Sequence, residues 1–212
     1  MGLFGLFRRQ PPIRGLGELA DFIDENAAFL VQRGMYEYAR ARAGHYAKVL
    51  FAEPEFLAFV EQSRWRAYPM GLAMVGEMVE GTLRERAHDR RALLDAIAAL
   101  VLSVFDRYPI PDVLTSGAWT AARAELARRL DHIGLHPPKR VIDIPEQFSA
   151  DYFNLMPIHE KMRSKDEPTT RSYLKLSLCN IRDELVKRMD VPAIVQALMA
   201  MPVVTLESAE GN

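Results

Sequence analysis

Arg42 carries a permanent charge at a place where helical geometry supplies apolar neighbours. Counted at about 100° per residue, Met35, Ala39, Tyr46, Val49 and Leu50 fall on one side of a helix, and Arg42 falls among them. Tyr38, Arg42 and Tyr46 are successive i,i+4 neighbours, and His45 follows Arg42 by one turn. A guanidinium does not lose its charge, so on a packed face it needs a carboxylate, a row of carbonyls or an anionic ligand. Two outcomes follow. In one, Arg42 forms a structural pair with Glu77 or Glu80, the only acids in the most apolar helical stretch. In the other, Arg42, Tyr38, His45 and Tyr46 bind an anion, and His45 or His159 moves a proton, with Glu160 as the carboxylate beside His159.

Other residues bear chemistry with less support from their spacing. Arg64, Trp65 and Arg66 combine guanidinium and indole groups, which stack on bases or partner surfaces; the competing expectation is a packed Trp65 between solvated arginines. His132 and His136 have the i,i+4 spacing of a metal pair, but Gly134 and Pro137 interrupt the helix that would align them. Glu85 and His88 make a single E-x-x-H, where a di-iron bundle uses two copies and two further glutamates. Cys179 lies between Lys175 and Asp183 at i-4 and i+4, and a buried, inert thiol is the plainer expectation. Gly15, Gly17 and Ala20 lack the preceding strand of a dinucleotide fingerprint. The sequence contains no G-x-S-x-G, P-loop, H-E-x-x-H or EF-hand pattern. Neither a cofactor nor a metal is expected.

These side chains need helices to position them. Strong helical patterns run through the 212 residues. The first covers 18–32 with Gly34 as its stop, and the Arg42 helix covers about 35–52. Glu53-Pro54 opens a third, Pro69 a fourth that is apolar almost all round, and Asp89 caps a fifth. Trp119, Ala122, Leu126, Leu130 and Ile133 stripe the next, and Leu174, Leu178, Ile181 and Leu185 the last long one, with a shorter helix after Pro192. The fold class expected is all-α: one irregular bundle of about six to eight helices over 17–204, between a flexible segment at 1–16 and a frayed tail at 205–212.

Residues 137–168 break the pattern with five prolines, yet carry Phe148, Tyr152, Phe153 and Met156. Such a segment drapes over the helices, either as an interaction surface through Phe148, Tyr152 and Phe153 or as a plug for the core.

Composition bounds the function. With 27 basic and 28 acidic residues the net charge is -1, so the long-range attraction used by most nucleic-acid binders is absent. One cysteine excludes an internal disulfide framework and fits a reducing, cytoplasmic compartment. The longest apolar run, 92–105, is too short to cross a bilayer. At residues 1–9, Leu3, Phe4, Leu6 and Phe7 before Arg8 and Arg9 fit a weak contact with a membrane surface rather than a secretory signal. Three function classes remain: a non-catalytic helical interaction or adaptor protein with a protein partner or self-association; a small hydrolase or transferase using Arg42 and a histidine on an anionic or acyl substrate; and a ligand-sensing helical regulator.

Overall fold

The computed structural model describes residues 10–159, 163 and 165–201, and the long apolar stripes in that range are wound into helices. α1 (Leu16–Ala28) passes through a π-helical turn at Phe29–Arg33 into α2 (Gly34–Ala43). A 3-10 turn at Gly44–Tyr46 leads to the single turn α3 (Ala47–Leu50). Then come α4 (Pro54–Leu83), α5 (Arg90–Phe105) and α6 (Ser116–His132). A 3-10 turn at Val141–Asp143, α7 (Glu146–Asn154), α8 (Glu167–Arg188) and α9 (Val191–Met199) follow. The architecture is an all-α, single-domain helical bundle. Among the described residues the β structure is one isolated parallel bridge, Ile13 to Met189.

α4 is central because its apolar residues surround its axis. Leu72, Met74, Val75, Met78 and Val79 are all buried, against α1, α5, α6, α7 and α8. Each such side chain contributes about 1.5–3 kcal/mol relative to exposure. This burial explains why Pro69, expected to open a helix, lies inside one instead. A proline in a helix interior costs about 3 kcal/mol, and the buried neighbours Ala67, Tyr68 and Leu72 hold both halves in line. Side-chain caps start α5 and α6: Asp89 accepts from the Ala92 amide at 2.9 Å and Thr115 from the Ala118 amide at 3.2 Å.

Two glycines behave differently from the sequence expectation. Gly34 does not stop a helix; its φ of -58° is right-handed, and the π turn carries the chain straight on. Its missing side chain matters for packing: a Cβ there would lie 2.5 Å from Tyr173 Cε1 and 2.7 Å from Tyr152 Oη. The real break is Gly44, with φ +53° and ψ -124°, a conformation that side chains other than glycine's rarely adopt. The helix expected over 35–52 is therefore two, and the apolar face drawn through Arg42 is divided.

The proline-rich segment is not an extended loop. It folds its own helix, α7, and buries Phe148, Tyr152, Phe153, Met156 and Ile158. Tyr152 Oη donates to the Val31 carbonyl in the π turn at 2.8 Å. Arg163 caps the C-terminal end of α7, donating to the carbonyls of Phe153, Asn154 and Met156 at 2.9, 2.8 and 3.0 Å. Nor are residues 10–15 a loose leader. Ile13 is fully buried, its amide donates to the Arg188 carbonyl and its carbonyl accepts from the Asp190 amide, both at 2.9 Å. The segments 1–9 and 205–212, expected to be a membrane-surface contact and a frayed tail, lie outside the described residues.

Candidate functional site

Arg42 meets a carboxylate, but neither of those expected. It pairs with Asp166 at the entrance to α8, and Tyr38 Oη donates to the same Asp166 oxygen at 2.7 Å. Arg42 and Tyr38 together hold the Asp166 carboxyl below its ordinary range. Burial, and then the bond to Asp166, push the Tyr38 hydroxyl up. The Arg42 side chain is 38% exposed, so this is a surface clasp between α2 and α8. The anion position proposed for a substrate is filled by the protein's own carboxylate. His45 is exposed and faces a different groove, and Tyr46 is solvated, so the four residues do not converge. His159 is exposed after α7, and Glu160 lies outside the described residues.

The break at Gly44 creates the most distinctive surface. An open groove of about 840 Å³ runs along α2 and α3, lined by Tyr36, Arg40, His45, Lys48 and Phe51, with Glu37 as its acid. Tyr36 packs edge-on against Phe51 and Phe51 against Phe56, with centroids 4.9 and 5.1 Å apart. On its other side, Tyr36 borders a second depression of about 430 Å³ with Phe29, Arg33 and Arg64. The Arg33 guanidinium sits 5.2 Å above the Phe29 ring. Tyr36, Phe51 and Phe56 thus form an aromatic ridge, Phe29 borders the same depression as Tyr36, and the charged lining is Arg40, Lys48 and Glu37 on one side and Arg33, Arg64 and Glu25 on the other. Tyr46 and Val49, 76% and 61% exposed, lie outside the lining of both depressions.

The polar strip of α4 is buried and fastens the segment after α6. Arg84 forks onto Glu80 at 2.6 and 2.8 Å and donates to the carbonyls of Ile133 and His136 at 3.1 and 2.9 Å. Glu77, 4% exposed, has Lys139 Nζ 2.9 Å from Oε1, and its Oε2 accepts from Gln147 at 3.1 Å. The buried acids of α4 therefore answer Arg84 and Lys139, not Arg42. His132 and His136 use Nδ1 on the carbonyls of Arg128 and Pro137, at 2.6 and 2.8 Å. Among the described residues no group of three or more His, Cys, Asp or Glu side chains is placed to hold a metal ion.

The remaining aromatic candidates are packed. Phe148, Tyr152 and Phe153 are core residues, so the interaction surface expected on them is corrected to a plug. Trp65 is half-buried among Tyr68, Tyr108 and Trp119, with centroids 5.8, 5.2 and 5.8 Å away, and its Nε1 donates to Glu61 at 2.6 Å. Arg64 donates to Glu61 and Gln32, while Arg66 is exposed. Burial raises the Cys179 thiol, and Asp183 adds to that. Sequence reasoning missed Asp166, because contact between residues 124 positions apart has no periodic signature. No family model, curated protein or solved structure matches the chain.

Proposed function

We propose that this is a non-catalytic helical interaction protein that docks an amphipathic helix of a partner protein on the face made by α2, α3 and the start of α4. The carrying observation is the exposed ridge through Tyr36, set between grooves in which Arg33, Arg40, Lys48 and Arg64 outnumber the acids Glu25 and Glu37. An apolar floor with cationic margins suits a helix that presents an apolar stripe flanked by carboxylates. Tyrosine and arginine are also the side chains that most often anchor such interfaces. A helical protein partner is favoured over nucleic acid because the whole chain carries a net charge of -1. No helix among the described residues is long and apolar enough to cross a membrane. The single cysteine supports a reducing compartment, and we place the protein in the cytoplasm.

The test is a double variant, Arg40→Glu with Lys48→Glu, in the full chain. Both residues line the groove and are exposed, so the melting temperature should hold while capture of the partner from source-cell lysate is lost and the chain remains a monomer. Capture that persists undiminished, or a concentration-dependent dimer abolished by the same variant, would overturn the reading; in the second case the face pairs copies of this chain.

A further inference from the structure

A pocket of about 160 Å³ lies where the C-terminal end of α6 meets α4 and α7, and the docking face does not use it. Arg128, Arg129, His132 and His136 line it, and solvent reaches all four: the side chains of Arg128, Arg129 and His136 are 56%, 26% and 33% exposed, and His132 is exposed. One carboxylate fixes both guanidiniums. Glu125 accepts from Arg128 Nε and Nη2 and from Arg129 Nε, each at 2.7 Å. Asp151 is 3.7 Å from Arg129 Nη2, too far for a hydrogen bond. Among the described residues Nη1 of neither arginine has an acceptor, so both arginines are held in place with N–H groups to spare.

Glu77 is the acid in the lining, and it is already answered by Lys139 at 2.9 Å and by Gln147. Arg84 pairs with Glu80 behind it. Arg128, Arg129 and Lys139 therefore balance Glu77, Glu125 and Asp151, and the imidazoles decide the charge of the pocket. His132 Nδ1 sits 2.6 Å from the Arg128 carbonyl, at the end of α6, and His136 Nδ1 2.8 Å from that of Pro137. A carbonyl only accepts, so Nδ1 carries the proton of the neutral ring and Nε2 is the nitrogen that gains one. His136 Nε2 lies 3.9 Å from Glu77 Oε1.

We propose that this pocket binds a small tetrahedral oxyanion, of the sulfate or phosphate class, together with protons on His132 and His136. The anion accepts from Arg128 Nη1, Arg129 Nη1 and His132 Nε2, while a charged His136 joins Lys139 in offsetting Glu77. The volume is below the roughly 300 Å³ at which drug-sized sites begin, so the anion has little organic body. Binding and protonation are linked, and affinity rises as pH falls through the range in which histidine gains its charge.

Calorimetric titration of the full chain with sulfate tests this, because sulfate stays a dianion while the imidazoles titrate. Sulfate should bind at least about tenfold more tightly at about pH 5.5 than at about pH 8. Arg128→Gln should weaken it by about tenfold or more at the lower pH. His132→Gln with His136→Gln should remove the pH dependence, and Arg140→Gln, at an exposed arginine outside the pocket, should change nothing. Methyl phosphate should bind, and phenyl phosphate at least about tenfold more weakly. Sulfate binding weaker than about 10 mM at the lower pH, equal affinity at both pH values, no loss in Arg128→Gln, an equal loss in Arg140→Gln, or phenyl phosphate matching methyl phosphate would overturn the proposal.

Discussion

At the scale of single residues, the difference between an exposed and a buried ion pair decides what each charge does. Arg42 and Asp166 are partly solvated, so Arg42→Met should leave the melting temperature nearly unchanged. Glu80 and Arg84 are buried, and Glu80→Ala strands a guanidinium in the core. That variant should lose about 3–5 kcal/mol in denaturant unfolding, whereas Glu80→Leu with Arg84→Met together should lose much less. Acid sensitivity follows from carboxylates whose folded pKa is depressed. Arg128, then Arg129, hold Glu125 down to about 2, and Arg123 holds Asp106 low. Their stabilisation is complete above the ordinary carboxylate range and is lost as pH falls through the folded values. Melting temperature should therefore be flat from neutrality to about pH 5 and fall from there toward pH 2. Glu125→Gln should flatten part of that fall, and a melting curve unchanged between pH 5 and 2 would contradict the assignment.

At the scale of elements, the stripes of α4, α5, α6 and α8 were legible because their cores repeat at the helical period. Asp89 was legible as a cap because the side chain acts within one turn of its own position. Pro69 and Gly34 misled for the same physical reason: their effects are decided by neighbours far away in sequence, which propensity does not see. Gly34→Ala measures this. Alanine is about 1 kcal/mol better than glycine in a helix, yet here it should destabilise, since its Cβ would collide with Tyr173 and Tyr152. Greater stability in Gly34→Ala would show that the packing of α7 and α8 on α2 is looser than described. The segment 137–168 was read correctly as apolar but not as helical, because its prolines hide a helix of only nine residues. Phe148→Ala should cost about 3–5 kcal/mol by opening the core, and a variant as stable as the parent would return Phe148 to the surface.

At the scale of the whole molecule, the bundle is closed around α4, and an aromatic ridge faces outward where Gly44 turns the chain. The candidate site was only half legible: Tyr38, Arg42, His45 and Tyr46 were singled out, but as one convergent pocket. Gly44 separates them into a clasp of Tyr38 and Arg42 on Asp166, a groove wall at His45 and a solvated Tyr46, a division that depends on one backbone angle rather than on side-chain pattern. Exposure alone does not make an interface, since Leu135 and Leu176 are 73% and 62% exposed without such a groove, and they serve as controls. A photo-crosslinking side chain placed at position 48 of the full chain in its own cells, with positions 135 and 176 as comparisons, reads the docking face in place. The docking account predicts one discrete heteromeric product at 48, weakened by added salt, mapping to an acidic amphipathic helix, and absent at 135 and 176. The same products at all three positions, or none at 48, would contradict it.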